Sequence, residues 1–191
     1  MSGLVEAVLF SILNYLIGSI PFSYLIAKAK GVDPRLVGSG NVGATNVARS
    51  VGPQFGIAAL LLDIAKGFGA AILTTNFSQP IWISGFAVAG HNWSLFLGFK
   101  SGKGVATTLG ILLAISWPAF LITIAFWGVL ALITRYVSIA SVIALLAAPI
   151  AIGLLDGIST AVWLMAVLGI LSVIQHKENF SRVRHGTEGK I

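Results

Sequence analysis

The sequence predicts an all-α polytopic membrane protein with seven transmembrane helices, on three observations. Of 191 residues, 57% are hydrophobic and only 9% are charged, where soluble domains run nearer ~45–50% and about 25%. Mean hydropathy is +0.95. The apolar residues fall in long stretches, as a bilayer core of roughly 30 Å requires, at about 20 residues per helix. The same composition excludes a water-soluble globule. With no Cys and no glycine period, it also excludes a disulfide-stapled or collagen-like chain and any thiolate metal site.

The seven stretches lie near 4–27, 53–76, 80–97, 104–116, 118–135, 138–155 and 158–175, forming one integral membrane domain over 1–191. Pro21 falls inside the first and predicts a kink, which a packed bundle tolerates. This first stretch is expected to stay as a helix. It is too long for a signal-peptide core, has no basic residues before it and no small-residue cleavage site after it. Trp117-Pro118 splits a long apolar run into the fourth and fifth helices, because proline ends a helix or opens one. Asp156-Gly157 separates the last two.

Net charge is +6 and the isoelectric point about 10, and the positions of the basic residues say what that means. Lys28, Lys30, Arg35 and Arg49 share one side with Lys100, Lys103, Arg135, Lys177, Arg182, Arg184 and Lys190. Eleven of the twelve basic residues therefore lie on one face, which the positive-inside rule makes cytoplasmic. The N-terminus is then outside and the C-terminus cytoplasmic. The basic charge points to headgroups and phosphorylated substrates, not to nucleic acid.

Polar chemistry concentrates in three cytoplasmic segments. The first, residues 31–49, is built of small residues and amides, so its backbone N–H groups, Ser39 and Gly40 among them, are expected to form an anion nest. Asn41, Thr45 and Asn46 add neutral hydrogen bonds, and Arg49 a guanidinium fork suited to phosphate. Gly38, Gly40 and Gly43 match a dinucleotide fingerprint in spacing only: no strand precedes them and a membrane helix follows. A plain flexible connector is the other reading of this segment.

The second segment, Ser101-Gly102-Lys103-Gly104 leading to Thr107, opens the fourth helix. Glycines let a ligand approach the backbone, Lys103 adds a point charge, and the helix N-terminus favours anions. The alternative is that Lys100 and Lys103 anchor the helix at lipid headgroups. In the third, His176, Asn179 and Arg182 recur at a spacing of three. A continuing seventh helix puts them on one face as base, amide and phosphate-binding guanidinium; a polybasic tail on anionic lipid is the other reading.

Asp63 and Lys66, three apart within the second stretch, predict an ion pair that serves either as a proton or substrate path or as a lock between helices. His91 and Asn92 sit near the cytoplasmic end of the third, either as interhelical hydrogen bonds or within reach of the site. The hydroxyls of Ser138 and Ser141 are expected to face the same pocket. Two classes of function fit: an enzyme acting on a phosphorylated substrate and a lipid, or a transporter of a phosphorylated solute. The enzyme is favoured, because a transporter gathers its polar groups near the midplane in repeated, broken helices.

The residues also resemble a family. Gly38-Ser-Gly-Asn-Val-Gly-Ala-Thr-Asn46 with Arg49, Ser101-Gly-Lys-Gly-Val-Ala-Thr107, and His176-x-x-Asn179-x-x-Arg182 with Gly186 and Glu188 are similar to the three motifs of bacterial membrane acyl-phosphate:glycerol-3-phosphate acyltransferases. Gly18-Ser-Ile-Pro-Phe22, Asp63-x-x-Lys66-Gly67, Ala89-Gly-His-Asn-Trp93 and Arg135-Tyr-Val-Ser138 are similar too. Ser101 departs from the family, which usually has glycine there. The resemblance implies acyl transfer from acyl phosphate to the 1-hydroxyl of glycerol 3-phosphate, giving lysophosphatidic acid and phosphate at the inner membrane, with no cofactor and no obligate protein partner. No His is followed five residues later by Asp, so the box of other glycerol-phosphate acyltransferases is missing. Asp33 is the one aspartate of the cytoplasmic loops, too few for a metal site. The expected catalytic residues are Lys103, Arg49 and His176. Phosphate and substrate binding is expected from Ser39, Gly40, Asn41, Thr45, Asn46, Ser101, Gly102, Gly104, Thr107, Ser141, Asn179 and Arg182. Either His176 or a substrate phosphate oxygen takes the proton.

Overall fold

A computed structural model describes residues 2–191, and every regular element among them is helical. Helix α1 (Ser2–Ser19) stops two residues before Pro21, which has no N–H to extend it, and α2 (Phe22–Ala29) restarts with Leu25 N–H donating to the Pro21 carbonyl at 3.0 Å. The helix is thus interrupted at Ile20-Pro21 within one apolar segment over 3–29. The short α3 (Ala44–Ser50) precedes α4 (Pro53–Asn76), whose proline sits at the helix start, where its missing donor costs nothing.

The third stretch departs from the expected span over 80–97. A 3-10 turn (Ile81–Ser84) leads into α5 (Gly85–Asn92), and the chain then leaves the helix for a second 3-10 turn (Leu95–Leu97). Side-chain hydrogen bonds hold it there: Ser94 Oγ donates to the Ser19 carbonyl at 2.6 Å and Tyr15 Oη to the Trp93 carbonyl at 2.7 Å. Next come α6 (Val105–Ile115), α7 (Trp117–Thr134), α8 (Val137–Asp156), α9 (Thr160–Gln175) and α10 (Lys177–Arg184). Ser116 caps α7, its Oγ accepting from the Ala119 N–H, and Arg135 ends that helix in the left-handed conformation.

Among the described residues four helical segments, 3–29, 53–76, 117–134 and 137–156, are long and apolar enough to cross a membrane. A fifth is added if α9 and α10, bent by 50° at His176, count as one. Helix α6 has 11 residues, about 16 Å at 1.5 Å per residue, short of a bilayer core on its own.

The chain divides into two compact units, one up to Ile111 and the other Leu112–Ile191. In the first, α1 packs on α4 and α5, α2 on α3 and α4, and α3 along α4. Gly67 of α4 sits against the Thr107 carbonyl and Gly110 against that of Ile64, with no room for a methyl at either, so α4 and α6 meet backbone to backbone as small residues permit. In the second, α8 packs between α7 and α9 and α10 lies on α8 and α9. Its core is Ala144, Leu145, Ala148 and Ile152 with Leu164, Met165 and Leu168. Rows of exposed Leu, Ile and Val line α1, α4, α7 and α8, as a lipid-facing surface requires.

Candidate active site

The first polar segment is organised by one side chain. Asn46, buried on α3, accepts from the Ser39 N–H at 3.0 Å through Oδ1, and its Nδ2 donates to the carbonyls of Pro34, Val37 and Asn41 at 2.8, 3.1 and 3.1 Å. Gly38, at φ +59, passes so close that a methyl there would overlap Asn46 Oδ1, so both its conformation and its missing side chain are needed. These contacts correct two expectations. Asn46 spends both ends of its amide on the loop. The Ser39 N–H is taken by Asn46 and the Gly40 N–H by the Val37 carbonyl at 3.0 Å, so neither is left for an anion nest. Backbone donors need partners, and these two find theirs within the loop segment.

At the start of that loop Arg35 donates to both Asp33 carboxylate oxygens, at 3.0 and 2.7 Å, and lies over the Tyr24 ring. Arg35's hydrogen bonds, and the nearby Lys28 at 3.6 Å, hold the Asp33 carboxyl well below the usual carboxylate range. What the segment presents outward are Thr45 and Arg49, exposed on α3, with Asn41 half-buried before it.

The second segment is stitched to the end of α5. The Ser101 N–H donates to the Asn92 carbonyl and the Gly102 N–H to the His91 carbonyl, both at 3.2 Å. Those two amides are therefore engaged, another departure from an open anion cradle. Gly102 is wedged between the His91 ring and the Val42 carbonyl of the first segment, with no space for a methyl. The first and second segments thus meet at Gly102, within one unit. Gly104 abuts Val88 and the Asn92 side chain, and its carbonyl accepts the Thr108 N–H at 2.8 Å, beginning α6. Lys103 projects half-buried from between these fixed glycines. Thr107 is fully buried, which places it behind the loop and not at its surface.

Beneath the loop lies a buried charge cluster. Asp63 Oδ1 is 2.8 Å from Lys66 Nζ and 3.6 Å from His91 Nδ1, while its Oδ2 accepts from Ser23 Oγ at 2.9 Å. Lys66 Nζ also donates to the Ile20 carbonyl at 3.0 Å, which at the break before α2 also accepts the Phe22 N–H at 3.2 Å.

In the second unit the expected continuation of the last helix does not occur. His176 is the residue at which α9 bends into α10, so the three-residue spacing does not run along one helix. The His176 Nδ1–H donates to the Ser172 carbonyl at 2.8 Å, a tautomer that leaves Nε2 as the basic nitrogen. Asn179 and Arg182 converge on Glu188: Asn179 Nδ2 donates to Oε1 at 2.6 Å and Arg182 Nε to Oε2 at 2.7 Å, with Ser138 Oγ on Oε1 at 2.9 Å. Partial burial raises the Glu188 pKa, but the three donors outweigh it and hold the carboxyl below the ordinary glutamate value. Glu188 is the organiser that spacing arguments missed. The signal was there, an acid six residues after Arg182 that the third motif includes. Ser141, buried on α8, accepts from Trp127 Nε1 at 3.1 Å, so its own proton points elsewhere.

Long apolar helices carrying these loops make the chain an integral membrane protein, and comparison with known proteins makes the class specific. Residues 8–186 match the family described as Glycerol-3-phosphate acyltransferase. A glycerol-3-phosphate acyltransferase of Thermotoga petrophila is 47% identical over 188 residues, covering 96% of this chain and 95% of that one. One of Mesorhizobium japonicum is 43% identical over 192 residues, covering 99% and 96%. Two crystal structures of PlsY, an integral membrane glycerol 3-phosphate acyltransferase, superpose over 97% of this chain. The glycerol 3-phosphate form has TM-score 0.90, 40% identity and 96% of its own chain covered, and the lysophosphatidic acid form 0.88, 39% and 95%. The chain is an acyltransferase. It belongs to the glycerol-3-phosphate acyltransferase family.

Proposed function

We propose that the protein transfers a fatty acyl group from acyl phosphate to the 1-hydroxyl of sn-glycerol 3-phosphate, giving lysophosphatidic acid and inorganic phosphate. The observation that carries this reading is the Gly102-Lys103-Gly104 loop, fixed against the Val42 carbonyl of the Arg49 segment, in a chain whose relatives over nearly their full length are glycerol-3-phosphate acyltransferases. The solved relatives were captured with acceptor and with product, both of them phosphate monoesters. The acyl phosphate donor rests on the three motifs and on the missing His-x4-Asp box.

An acyl phosphate is a mixed anhydride with a good leaving group, so catalysis is chiefly orientation and charge stabilisation. Lys103 and Arg49 hold phosphate charge. Thr45, Asn41 and Ser141 supply neutral hydrogen bonds, while Asn179 and Arg182, set by Glu188, supply a donor and further charge. The acceptor hydroxyl attacks the acyl carbonyl, the carbonyl–phosphate bond breaks, and the phosphate departs with the bonding electrons. His176 Nε2 takes the hydroxyl proton, since Nδ1 is committed to the Ser172 carbonyl. No step needs a cofactor or a metal.

We also propose the full topology: seven membrane segments in one domain, N-terminus outside, with the loops and C-terminus on the cytoplasmic face of the bacterial inner membrane. The one-sided distribution of basic residues supports it. Because the chain has no Cys, single cysteines at Ser101 and Ser159 with an impermeant thiol reagent on intact cells test it; labelling of Ser101→Cys from outside would overturn it.

The decisive assay is phosphate release by purified protein with glycerol 3-phosphate and, in parallel, acyl phosphate or acyl-CoA. Turnover with acyl phosphate alone is the expected result, and turnover only with acyl-CoA refutes the donor. In His176→Ala, retained turnover moves the base role to a phosphate oxygen of the substrate.

A further inference from the structure

We propose that His91 is a positioning residue for the Lys103 loop and that the buried Asp63–Lys66 pair fixes where His91 stands. The inference rests on the reading of Lys103 as a phosphate ligand, and it adds to it how that lysine is held.

The cluster is connected at both ends. At one end Lys66 Nζ binds the Ile20 carbonyl at the proline break, and Ser23 Oγ, one turn further on, binds Asp63 Oδ2. At the other end the His91 Nδ1 edge lies 3.6 Å from Asp63 Oδ1, while the Nε2 edge lies against the Gly102 Cα, where even a methyl would not fit. The His91 carbonyl accepts the Gly102 N–H. A rigid ring thus fills the space between the carboxylate and the loop, and the backbone of the same residue holds that loop by hydrogen bond.

A mere lock between helices does not explain this arrangement. Asp63, Lys66 and His91 are all buried, and a buried ion pair costs desolvation that well-packed apolar residues of similar volume avoid. The pair is also asymmetric: Lys66 uses a second acceptor on α1–α2, whereas Asp63 turns one oxygen toward His91. Its geometry serves a third residue. Lys103 must reach its phosphate from a loop with glycine on both sides, which has no stiffness of its own, so position has to come from what lies underneath.

The test uses the absence of native cysteine. A nitroxide on Ser101→Cys reports loop mobility in the purified protein with no substrate present. In that background His91→Ala, and separately the charge-free pair Asp63→Asn with Lys66→Met, are expected to broaden the range of probe motion. In the chain without the label, the same changes are expected to lower kcat/KM by about 10- to 100-fold, as displacements of the order of 1 Å do, chiefly by raising KM for the phosphorylated substrate. The charge-free pair should keep a wild-type melting temperature. Gly102→Ala should lose activity in the wild-type background and regain part of it when combined with His91→Ala, because the ring is one of the two groups it strikes. Where His91→Ala does not fold, His91→Asn carries the same readouts. A folded variant with wild-type probe spectrum and wild-type KM overturns the proposal, as does Gly102→Ala with no relief from the second change. The probe spectrum is read without donor or acceptor, so a failed acyl phosphate assay leaves this result standing and distinguishable.

Discussion

Asn46→Ala isolates the device that shapes the first loop. The substitution removes one acceptor, used by the Ser39 N–H, and two N–H donors shared among the carbonyls of Pro34, Val37 and Asn41. Residues 35–40 are exposed, so water replaces the partners there, whereas Pro34 is buried; the net value for every bond therefore sets a lower bound. Three bonds at about 0.5–1.5 kcal/mol each give about 2–4 kcal/mol of local stability. At 1.4 kcal/mol per factor of ten, the Ser39 amide should exchange with solvent about 30- to 1,000-fold faster. Helix α4 should keep its protection, because none of these bonds touches it. Hydrogen exchange read by mass spectrometry on peptides covering 35–48 and 53–76 measures both. Asn46→Asp is the companion: it keeps the acceptor for Ser39 but turns a carboxylate toward carbonyl oxygens, so it should be no better than alanine. Wild-type exchange at Ser39 in Asn46→Ala would refute the reasoning, and so would loss of protection spread evenly over α4.

Three further outcomes follow from the same geometry. Gly67→Ala places a methyl on the Thr107 carbonyl; overpacking of this kind costs about 1–3 kcal/mol, to be seen as a lower melting temperature in detergent, whereas Gly69→Ala, with open space around it, should melt like the parent. Glu188→Gln removes the charge that Arg182 and Asn179 share, and should lower kcat/KM for acyl transfer with little change in helix content by circular dichroism. Since the Glu188 pKa is depressed on folding, its contribution to docking α10 is fully present above the ordinary glutamate pKa and is lost as pH falls through the lower, folded value; acid should therefore raise proteolysis within 177–191 in the parent and not in Glu188→Gln.

The helical, membrane-embedded class was legible because it rests on composition and run length, which no tertiary contact can override. Proline and glycine marked several of the breaks for local reasons: Pro21 cannot donate, Pro53 and Pro118 sit at helix starts, and Gly157 follows a helix end. The internal breaks of the third stretch were not legible, because hydropathy does not see Ser94 binding the Ser19 carbonyl, a contact between residues 75 positions apart. The three polar segments were found by their residue types, yet the use of their amides was not. Whether the Ser39 or Gly102 N–H faces a ligand or a neighbouring carbonyl depends on partners fixed only once the chain is folded.

The glycines show why that error has a direction. A sequence rich in glycine next to lysine reads as a backbone opened for phosphate, since glycine allows close approach. Here the close approach is used inward: Gly38 admits Asn46, Gly102 admits the His91 ring and the Val42 carbonyl, and Gly104 admits Asn92. Each of those partners is buried. Glycine in these loops lets buried side chains pack against the backbone from below, and under the proposed function recognition falls to Thr45, Arg49 and Lys103. Under the proposed function, a loop held this way loses little entropy on binding a phosphate, and for a reaction whose catalysis is mostly orientation that stiffness is itself a catalytic contribution. It also predicts which substitutions do the most harm: those at the buried grips, Asn46 and His91, should rival those at the charges they position.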